Sequence, residues 1–369
     1  MKKIARQIHL WLGLATGLVV FIMGVTGAIY CFAPELQNLQ AYRWVEEEKA
    51  AFLPPSTIKQ IAEEQLPGKT LQRIYYDARD KSVMVLFSQK EVYSYSVFLN
   101  PYSGEVLKLR DNDRDFLSVV LQIHRTLKIP FGHEIIRWST VIFMLMLVTG
   151  IILWWPKNSG TVKQGFTIMW RASPKRLNYD LHKVLGFYGS WIAIFSAFTG
   201  LMFAFEGFQN ITYRISGVSN SIVQKKPPLS DTSGGRGLMA IDKVWREVEP
   251  DLYGKYAMAM FVLPAVKDGP ILLRANPSRS TLYKSDFRYF DQYSGKEFSG
   301  AYVWGRYNDA HTLADYIKRM NYDIHTGAIF GLPGRIALFF VALVVASLPL
   351  TGFYFWWGRR RKTRAKHFA

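Results

Sequence analysis

The sequence predicts a membrane protein: a bundle of four transmembrane helices with two extracytoplasmic α+β modules, built as an internal two-fold repeat. Three observations predict this fold. The chain of 369 residues is 49% apolar and contains four apolar runs almost without charge. Its net positive charge is concentrated in short segments beside those runs, and its two halves carry the same motifs in the same order. This pattern excludes a purely soluble enzyme, a disordered protein and a protein that binds nucleic acid through its charge alone.

The four apolar runs are each close to the about 20 residues that a helix needs to cross about 30 Å of hydrocarbon. They extend from Ile8 to Ala33, from Trp138 to Trp155, from Val184 to Phe205 and from Ile336 to Trp357. The first run is too long for the core of a signal peptide and lacks a small-residue cleavage site, so we expect it to be retained as a helix.

The charge distribution predicts the topology. The formal net charge is +18, and +14 of it lies in three short segments: the N-terminus, residues 156–183 and the tail after Trp357. Lys and Arg keep short loops on the cytoplasmic side during insertion. We therefore expect a multi-pass membrane protein with both termini in the cytoplasm. Cys31 is the only cysteine, which excludes an intrachain disulfide and a CxxCH haem attachment.

The segments outside the membrane each predict a small module of one helix and several strands. We expect spans or span-containing segments at 1–33, 113–156, 184–206 and 308–357, modules at 34–112 and 207–307, a loop at 157–183 and a basic tail at 358–369. The predicted helices are Ser56 to Gln65 and Ala240 to Glu249. The predicted strands are Leu71 to Tyr76, Ser82 to Phe87, Val92 to Leu99, Met258 to Leu263, Pro270 to Ala275 and Phe287 to Phe290. Surface helices are expected at 113–128 and 308–326.

The internal repeat is visible in the motifs of the spans. The first span carries His9 and ends in Thr26-Gly27, and the third carries His182 and ends in Thr199-Gly200, with the same spacing in both. The second and fourth spans also contain Thr-Gly, and both end in Trp-Trp, as membrane interfaces favour.

These motifs resemble those of the PepSY-associated transmembrane family. The residues that carry the resemblance are Leu177-Asn-Tyr-Asp-Leu-His182, Gln122-Ile-His124-Arg-Thr-Leu127, Val148-Thr-Gly-Ile-Ile-Leu-Trp-Trp-Pro156, Ile324-His325-Thr-Gly327 and two Tyr-Ser-Gly turns. The resemblance covers nearly the whole chain. It implies PepSY-like outer modules and, by analogy with iron-regulated members that resemble ferric-siderophore reductases, a di-haem protein of the bacterial inner membrane.

The histidines are the candidate cofactor ligands. His9 and His182 occupy matched positions at the cytoplasmic ends of two spans, and His124 and His325 precede the other two spans from the outer side. Neutral imidazole is a usual axial ligand of haem iron. We predict two b-type haems, an inner one held by His9 and His182 and an outer one held by His124 and His325. His133 and His311 are rival ligands for the outer haem, and a lone interfacial histidine commonly has no such role.

The four Thr-Gly glycines are predicted to leave room for the haems. Gly150 and Gly352 lie near the level of His9 and His182, whereas Gly27 and Gly200 lie about 27 Å further along their spans. These glycines also fit a second interpretation, in which Thr-Gly only packs helices together. Asp180 and Asp323, two residues before candidate ligands, are predicted to cap the following helices.

The resemblance implies an oxidoreductase that passes electrons outward to a periplasmic ferric siderophore or other ferric chelate. Because the sequence has no flavin- or nicotinamide-binding motif, we expect quinol or a separate reductase as the electron donor. The expected partners are these reactants and membrane lipid, and no nucleic acid. Two alternatives stay open: a non-redox regulator of a peptidase, and an accessory subunit of an iron-uptake transporter.

Overall fold

The computed structural model describes residues 2–156, 158, 162–217, 226–233, 240–252, 254–300, 302 and 304–367. The chain forms two compact units, each assembled from separate stretches of sequence. The helical unit contains Met1–Phe32, Val120–Gln209 and Asn321–Ala369, and the sheet unit contains Ala33–Val119 and Asn210–Met320.

The described helices and strands have the following bounds. The helices are α1 (Lys2–Tyr30), α2 (Ala33–Asn38), α3 (Pro55–Gln65), α4 (Phe116–Thr126), α5 (Gly132–Trp154), α6 (Val162–Phe166), α7 (Pro174–Ala204), α8 (Glu206–Ile215), α9 (Ala240–Val248), α10 (Leu313–His325) and α11 (Gly331–His367). The strands are β1 (Leu71–Tyr76), β2 (Val83–Gln89), β3 (Tyr93–Leu99), β4 (Val106–Asp111), β5 (Met258–Val262), β6 (Ile271–Asn276) and β7 (Asp286–Phe290).

The four predicted spans are confirmed as long apolar helices. Among the described residues, α1, α5, α7 and the segment Ala328–Gly358, most of which belongs to α11, are long and apolar enough to cross a membrane. In the helical unit, α1 packs against both α5 and α11, and α7 packs against the same two helices. The four spans therefore form a square in cross-section, with α1 diagonally opposite α7.

Small residues allow the spans to approach closely. A Cβ atom added at Gly24 of α1 would lie 2.9 Å from the Ala346 Cβ atom and 2.9 Å from the Ala342 carbonyl oxygen, both on α11. Membrane helices use glycine in this way because association depends on close backbone packing. Gly24 thus serves the contact between two helices.

The sheet unit differs from the expectation of two separate modules. Within its described residues, seven strands form one sheet in the order β4-β3-β2-β1-β5-β6-β7. The join is the antiparallel pair β1 and β5, in which Ile74 lies opposite Phe261. An isolated module on either side would leave the edge of β1 or β5 unpaired and open to other chains. Pairing the two edges removes this exposure, so the predicted modules share one sheet.

One hydrophobic core covers a face of this sheet. Helices α3 and α9 contribute to it, and Tyr76 of β1 stacks on Trp245 of α9 with ring centres 4.2 Å apart. Tyr76 is fully buried and donates its hydroxyl hydrogen to the Leu53 carbonyl at 2.9 Å. The Ser56 backbone N–H at the start of α3 also donates to the Asp242 carboxylate of α9 at 2.9 Å. The core therefore spans both segments of the sequence.

The two Tyr-Ser-Gly turns have the same construction. The Asn100 side-chain oxygen accepts a hydrogen bond from the Tyr102 N–H at 2.9 Å, and the Asp291 side-chain oxygen accepts one from the Tyr293 N–H at 3.0 Å. Each turn ends in a glycine with positive φ, +78° at Gly104 and +67° at Gly295. A residue with a Cβ atom is strained in that conformation, which explains the glycine.

Several local predictions were incomplete or wrong. Strand β4 and helix α8 were not predicted, and α11 continues without a break past the predicted boundary at 358. Asp180 lies inside α7 and Asp323 near the end of α10, so neither caps a helix. Helix α7 begins earlier, at Pro174, and α10 begins after Thr312, whose hydroxyl accepts a hydrogen bond from the Asp315 N–H at 3.1 Å.

Candidate functional site

His9 and His182 face each other across one end of the four-helix bundle. They lie on the diagonal helices α1 and α7, their ring centres are 6.3 Å apart, and their ring planes are inclined by 88°. Neither ring is exposed. We call this pair the His9–His182 site.

His124 and His325 form a second pair of the same kind. They lie on α4 and α10, the helices that precede the spans α5 and α11, with ring centres 6.3 Å apart and planes inclined by 66°. We call this pair the His124–His325 site. The structure therefore brings together the two pairs that the repeat indicates.

The spacing of the motifs places both sites in the same bundle. In α1, His9 and Gly27 are 18 residues apart, and the same number separates His182 from Gly200 in α7. Eighteen residues are five turns at about 3.6 residues per turn, so both members of each couple lie on one face of their helix, about 27 Å apart along its axis. Each of these two helices thus presents a histidine at one end and a Thr-Gly pair at the other.

Each of the four histidines contacts one Thr-Gly pair, and in each case the contact is through Nδ1. The distances from Nδ1 to the threonine Oγ1 are 3.0 Å for His9 and Thr149, 2.8 Å for His182 and Thr351, 3.0 Å for His124 and Thr26, and 3.1 Å for His325 and Thr199. The four threonines were not predicted as functional residues. Their position was the available signal, because each threonine directly precedes one of the four glycines that were predicted to be functional.

The hydrogen-bond directions determine where each imidazole carries its proton. Each threonine hydroxyl donates to a carbonyl of its own helix, as Thr149 does to Leu145 at 2.9 Å and Thr26 does to Ile22 at 2.7 Å. A hydroxyl has a single hydrogen, so its oxygen accepts from the histidine Nδ1–H. The His325 Nδ1 also lies 3.0 Å from the Ser196 carbonyl oxygen, which can only accept. The proton is therefore on Nδ1, and Nε2 carries the lone pair that binds metals.

The glycine of each pair lies against the Cε1 atom of the same imidazole. A Cβ atom added to the glycine would lie 3.4 Å from Cε1 at Gly150, 3.3 Å at Gly352, 3.4 Å at Gly27 and 3.5 Å at Gly200. These distances are at or just inside ordinary carbon contacts of about 3.5–4.0 Å. The imidazole alone would therefore nearly tolerate alanine at these positions.

The distance between the paired rings fits two ligands on one metal ion. With imidazole bonds of about 2.0 Å to the metal, and with each ring centre about 1.2 Å behind Nε2, two rings on opposite sides of the ion have centres about 6.4 Å apart. Both pairs measure 6.3 Å. Among the described residues, no group of three or more His, Cys, Asp or Glu side chains converges to hold a bare ion. A donor set of two imidazoles suits haem, whose macrocycle supplies the other ligands.

The rival ligands lie apart from both sites. His133 is exposed beside Glu134, with Nδ1 3.6 Å from the carboxylate, and His311 is exposed before the first turn of α10. The buried Asp180 carboxylate, near the His9–His182 site in sequence, pairs with Arg176 at 3.0 Å and with Lys183 at 3.8 Å. It is therefore engaged in a local ion-pair cluster of α7.

The arrangement of spans, paired histidines and Thr-Gly motifs can now be compared with known families. The sequence profile of the PepSY-associated TM region matches residues 6–359. The chain belongs to this family. A comparison with curated proteins found no match.

In this PepSY-associated TM region protein, His124 and His325, which lie outside the spans, are held neutral. Burial, together with the neighbouring His325, lowers the pKa of His124 to about 4. Burial also lowers the pKa of His325. Both rings are therefore uncharged at neutral pH, which is the state that binds a metal.

The sheet unit contains a cleft of about 360 Å³ at the edge strand β7. It includes residues from the aromatic and basic stretch of the sequence, among them Tyr302, Trp304 and Arg306. Its arginines are already engaged, because Arg288 and Arg306 both pair with Glu297, at 2.6 and 2.7 Å. The cleft is at the small end of ligand pockets, and we assign no ligand to it.

Proposed function

We propose that this protein is a di-haem b-type electron-transfer protein of the bacterial inner membrane that reduces a periplasmic ferric siderophore or ferric chelate. The observation that carries the proposal is the pair of sites in which two imidazoles, with ring centres 6.3 Å apart, each contact a threonine through Nδ1 and rest on a glycine. A b-type haem held between two such rings supplies reversible one-electron chemistry.

Histidine, threonine and glycine residues have different roles at each site. His9 with His182, and His124 with His325, would each hold one haem. The threonines hold the ring protons on Nδ1, and Gly27, Gly150, Gly200 and Gly352 leave room beside the rings. Between the sites, apolar side chains including Leu147, Ala193 and Ala197 form a packed core. Because two histidines would hold each haem and leave no open position for substrate, we infer that the sites transfer electrons and that substrate stays outside the bundle.

The position of the sites supports transfer across the membrane. Along α1 they are about 27 Å apart, close to the hydrocarbon thickness of about 30 Å. With both termini in the cytoplasm, as the basic segments favour, the His9–His182 site lies on the side of quinol or a reductase. The His124–His325 site then lies on the side of the ferric substrate, which accepts one electron and becomes a more weakly held Fe(II). The internal two-fold repeat supplies matching ligands at both levels.

Haem counting tests the proposal. We expect purified protein to give a b-type reduced-minus-oxidised spectrum with two haems per chain. His9→Ala or His182→Ala should remove one haem, and His124→Ala or His325→Ala should remove the other. The matched controls His133→Ala and His311→Ala should keep both. A colourless preparation from haem-replete cells would exclude the electron-transfer function and favour a non-redox regulator or a transporter subunit.

Proteoliposomes test the reaction itself. With a quinol supplied to the inside and a ferric siderophore outside, we expect Fe(II) to form outside, where a membrane-impermeant Fe(II) indicator can detect it. The His124→Ala variant should lose this activity although its other haem is still reduced. Fe(II) formation by that variant at the wild-type rate would contradict the proposed path.

A further inference from the structure

We propose that the four threonines of the Thr-Gly pairs are positioning residues that fix the rotation of each axial imidazole, and so hold the His9–His182 rings perpendicular. The Nδ1–H bond of an imidazole lies in the plane of the ring and points away from the line through Nε2. An acceptor at a fixed place therefore determines how the ring is turned about its metal bond. This inference rests on the proposed function, because the imidazoles are axial ligands only if haem is bound. The observations that support it are contacts within the chain.

The acceptors are anchored independently of the histidines. The hydroxyl of Thr351 donates to the Ser347 carbonyl at 3.0 Å, and that of Thr199 donates to the Phe195 carbonyl at 2.8 Å. Threonine is branched at Cβ, which restricts its rotation on a helix. Each oxygen is thus held by the backbone of its own span, and the imidazole has to turn towards it.

The two sites differ in the resulting angle. The planes of His9 and His182 are inclined by 88°, whereas those of His124 and His325 are inclined by 66°. At the second site, the Ser196 carbonyl lies 3.0 Å from the His325 Nδ1 and shares its proton with Thr199. In ferric haem with two imidazoles, perpendicular ligand planes give a highly axial low-spin electron paramagnetic resonance (EPR) signal, and parallel planes give a rhombic one. We expect the His9–His182 site to give the more axial signal of the two.

The first test measures EPR spectra and midpoint potentials of the holoprotein. Thr351→Val removes the acceptor of His182 and should shift the axial signal towards a rhombic one at unchanged haem content. A weaker hydrogen bond to Nδ1 makes the imidazole a poorer donor to ferric iron, so the Fe(II):Fe(III) ratio at fixed potential should rise about fivefold, which is about 40 mV for a one-electron couple. Thr351→Ser keeps a hydroxyl and should give the wild-type EPR signal and midpoint potential.

The control is a threonine that contacts no histidine. Thr16 of α1 is buried, donates to the Leu12 carbonyl at 2.9 Å and lies 4.0 Å from the Met146 sulfur. Thr16→Val should leave the EPR signals and both potentials unchanged. The proposal is overturned if Thr351→Val gives the wild-type spectrum and potential, or if Thr16→Val shifts them equally.

A second measurement needs no haem and separates this inference from the proposed function. In haem-free protein labelled with ¹⁵N-histidine, NMR should find His9, His124, His182 and His325 protonated at Nδ1 and unprotonated at Nε2. Thr351→Val should change the His182 resonances and leave those of His124 and His325 unchanged. If these rings are protonated at Nε2, the role of the threonines is refuted, even if the protein binds two haems. If they are protonated at Nδ1 but the protein binds no haem, only the proposed function is refuted.

Discussion

Two glycines one turn apart on α1 are predicted to differ in how well they tolerate substitution by alanine. At Gly24 an added Cβ atom would lie 2.9 Å from backbone and side-chain atoms of α11, whereas at Gly27 it would lie 3.4 Å from the His124 Cε1 atom. Carbon contacts are ordinarily about 3.5–4.0 Å. Gly24→Ala therefore has to separate α1 from α11 by about half an ångström, and Gly27→Ala requires almost no movement.

The size of the effect follows from this difference. Overpacking costs about 1–3 kcal/mol, and in both variants alanine gains about 1 kcal/mol of helix propensity over glycine, so the comparison between them cancels that gain. Thermal unfolding in detergent should show Gly24→Ala below Gly27→Ala by at least about 2 °C. Gly24→Ala should keep two haems per chain, because Gly24 contacts α11 and no histidine.

A larger side chain at Gly27 tests its relation to the histidine. Gly27→Leu places further carbons where the His124 ring lies, so we expect one haem to be lost, and Gly150→Leu should cause the loss of the other through His9. If Gly27→Leu instead kept both haems and only lowered the unfolding temperature, as Gly24→Ala does, the Thr-Gly glycines would be helix-packing residues and the site interpretation would fail.

Three further predictions concern stability. The haem-free protein should become less stable as the pH falls from 6.5 towards 4. The reason is that unfolded His124 takes up a proton near its ordinary pKa of 6.5, whereas burial lowers its pKa in the fold to about 4. A His124→Gln variant should show a shallower fall in unfolding temperature with pH, and an equal slope would contradict this assignment. Arg335→Met should destabilise the helical unit by about 1–3 kcal/mol, because the buried Arg335 side chain donates to the Cys31 carbonyl at 3.0 Å; exposed Arg125→Met is the comparison, and equal melting curves would count against the prediction. Asp242→Ala should destabilise the sheet unit by about 1–2 kcal/mol by removing the acceptor of the Ser56 N–H, measured by denaturant unfolding of the whole protein, with no change expected in haem content.

The spans and the residues of the sites were largely predictable because they depend on local pattern and on repetition. Hydropathy identified the four spans, and the equal spacing of His9 to Gly27 and of His182 to Gly200 indicated which residues share a level of the bundle. Both features follow from helix geometry. The identity of any group between the rings is a question of chemistry that these patterns only suggest.

The features that were missed depend on contacts between distant parts of the chain. The pairing of β1 with β5 joins residues almost 190 positions apart, and each strand in isolation only shows that it is a strand. The threonine contacts were missed because Thr-Gly is also an ordinary packing motif, and only the position of the facing helix distinguishes the two roles. Asp180 was misassigned because the start of α7 was placed too late, after His182.

Each half of the polypeptide contains an imidazole together with the hydroxyl that orients it: His9 with Thr149 and His124 with Thr26 in one half, His182 with Thr351 and His325 with Thr199 in the other. The partner imidazole always comes from the opposite half. An iron porphyrin bound at either level would therefore link the two halves. Saturating the protein with porphyrin should strengthen their association. Two fragments expressed from separate genes should consequently reassemble best in cells that make the porphyrin.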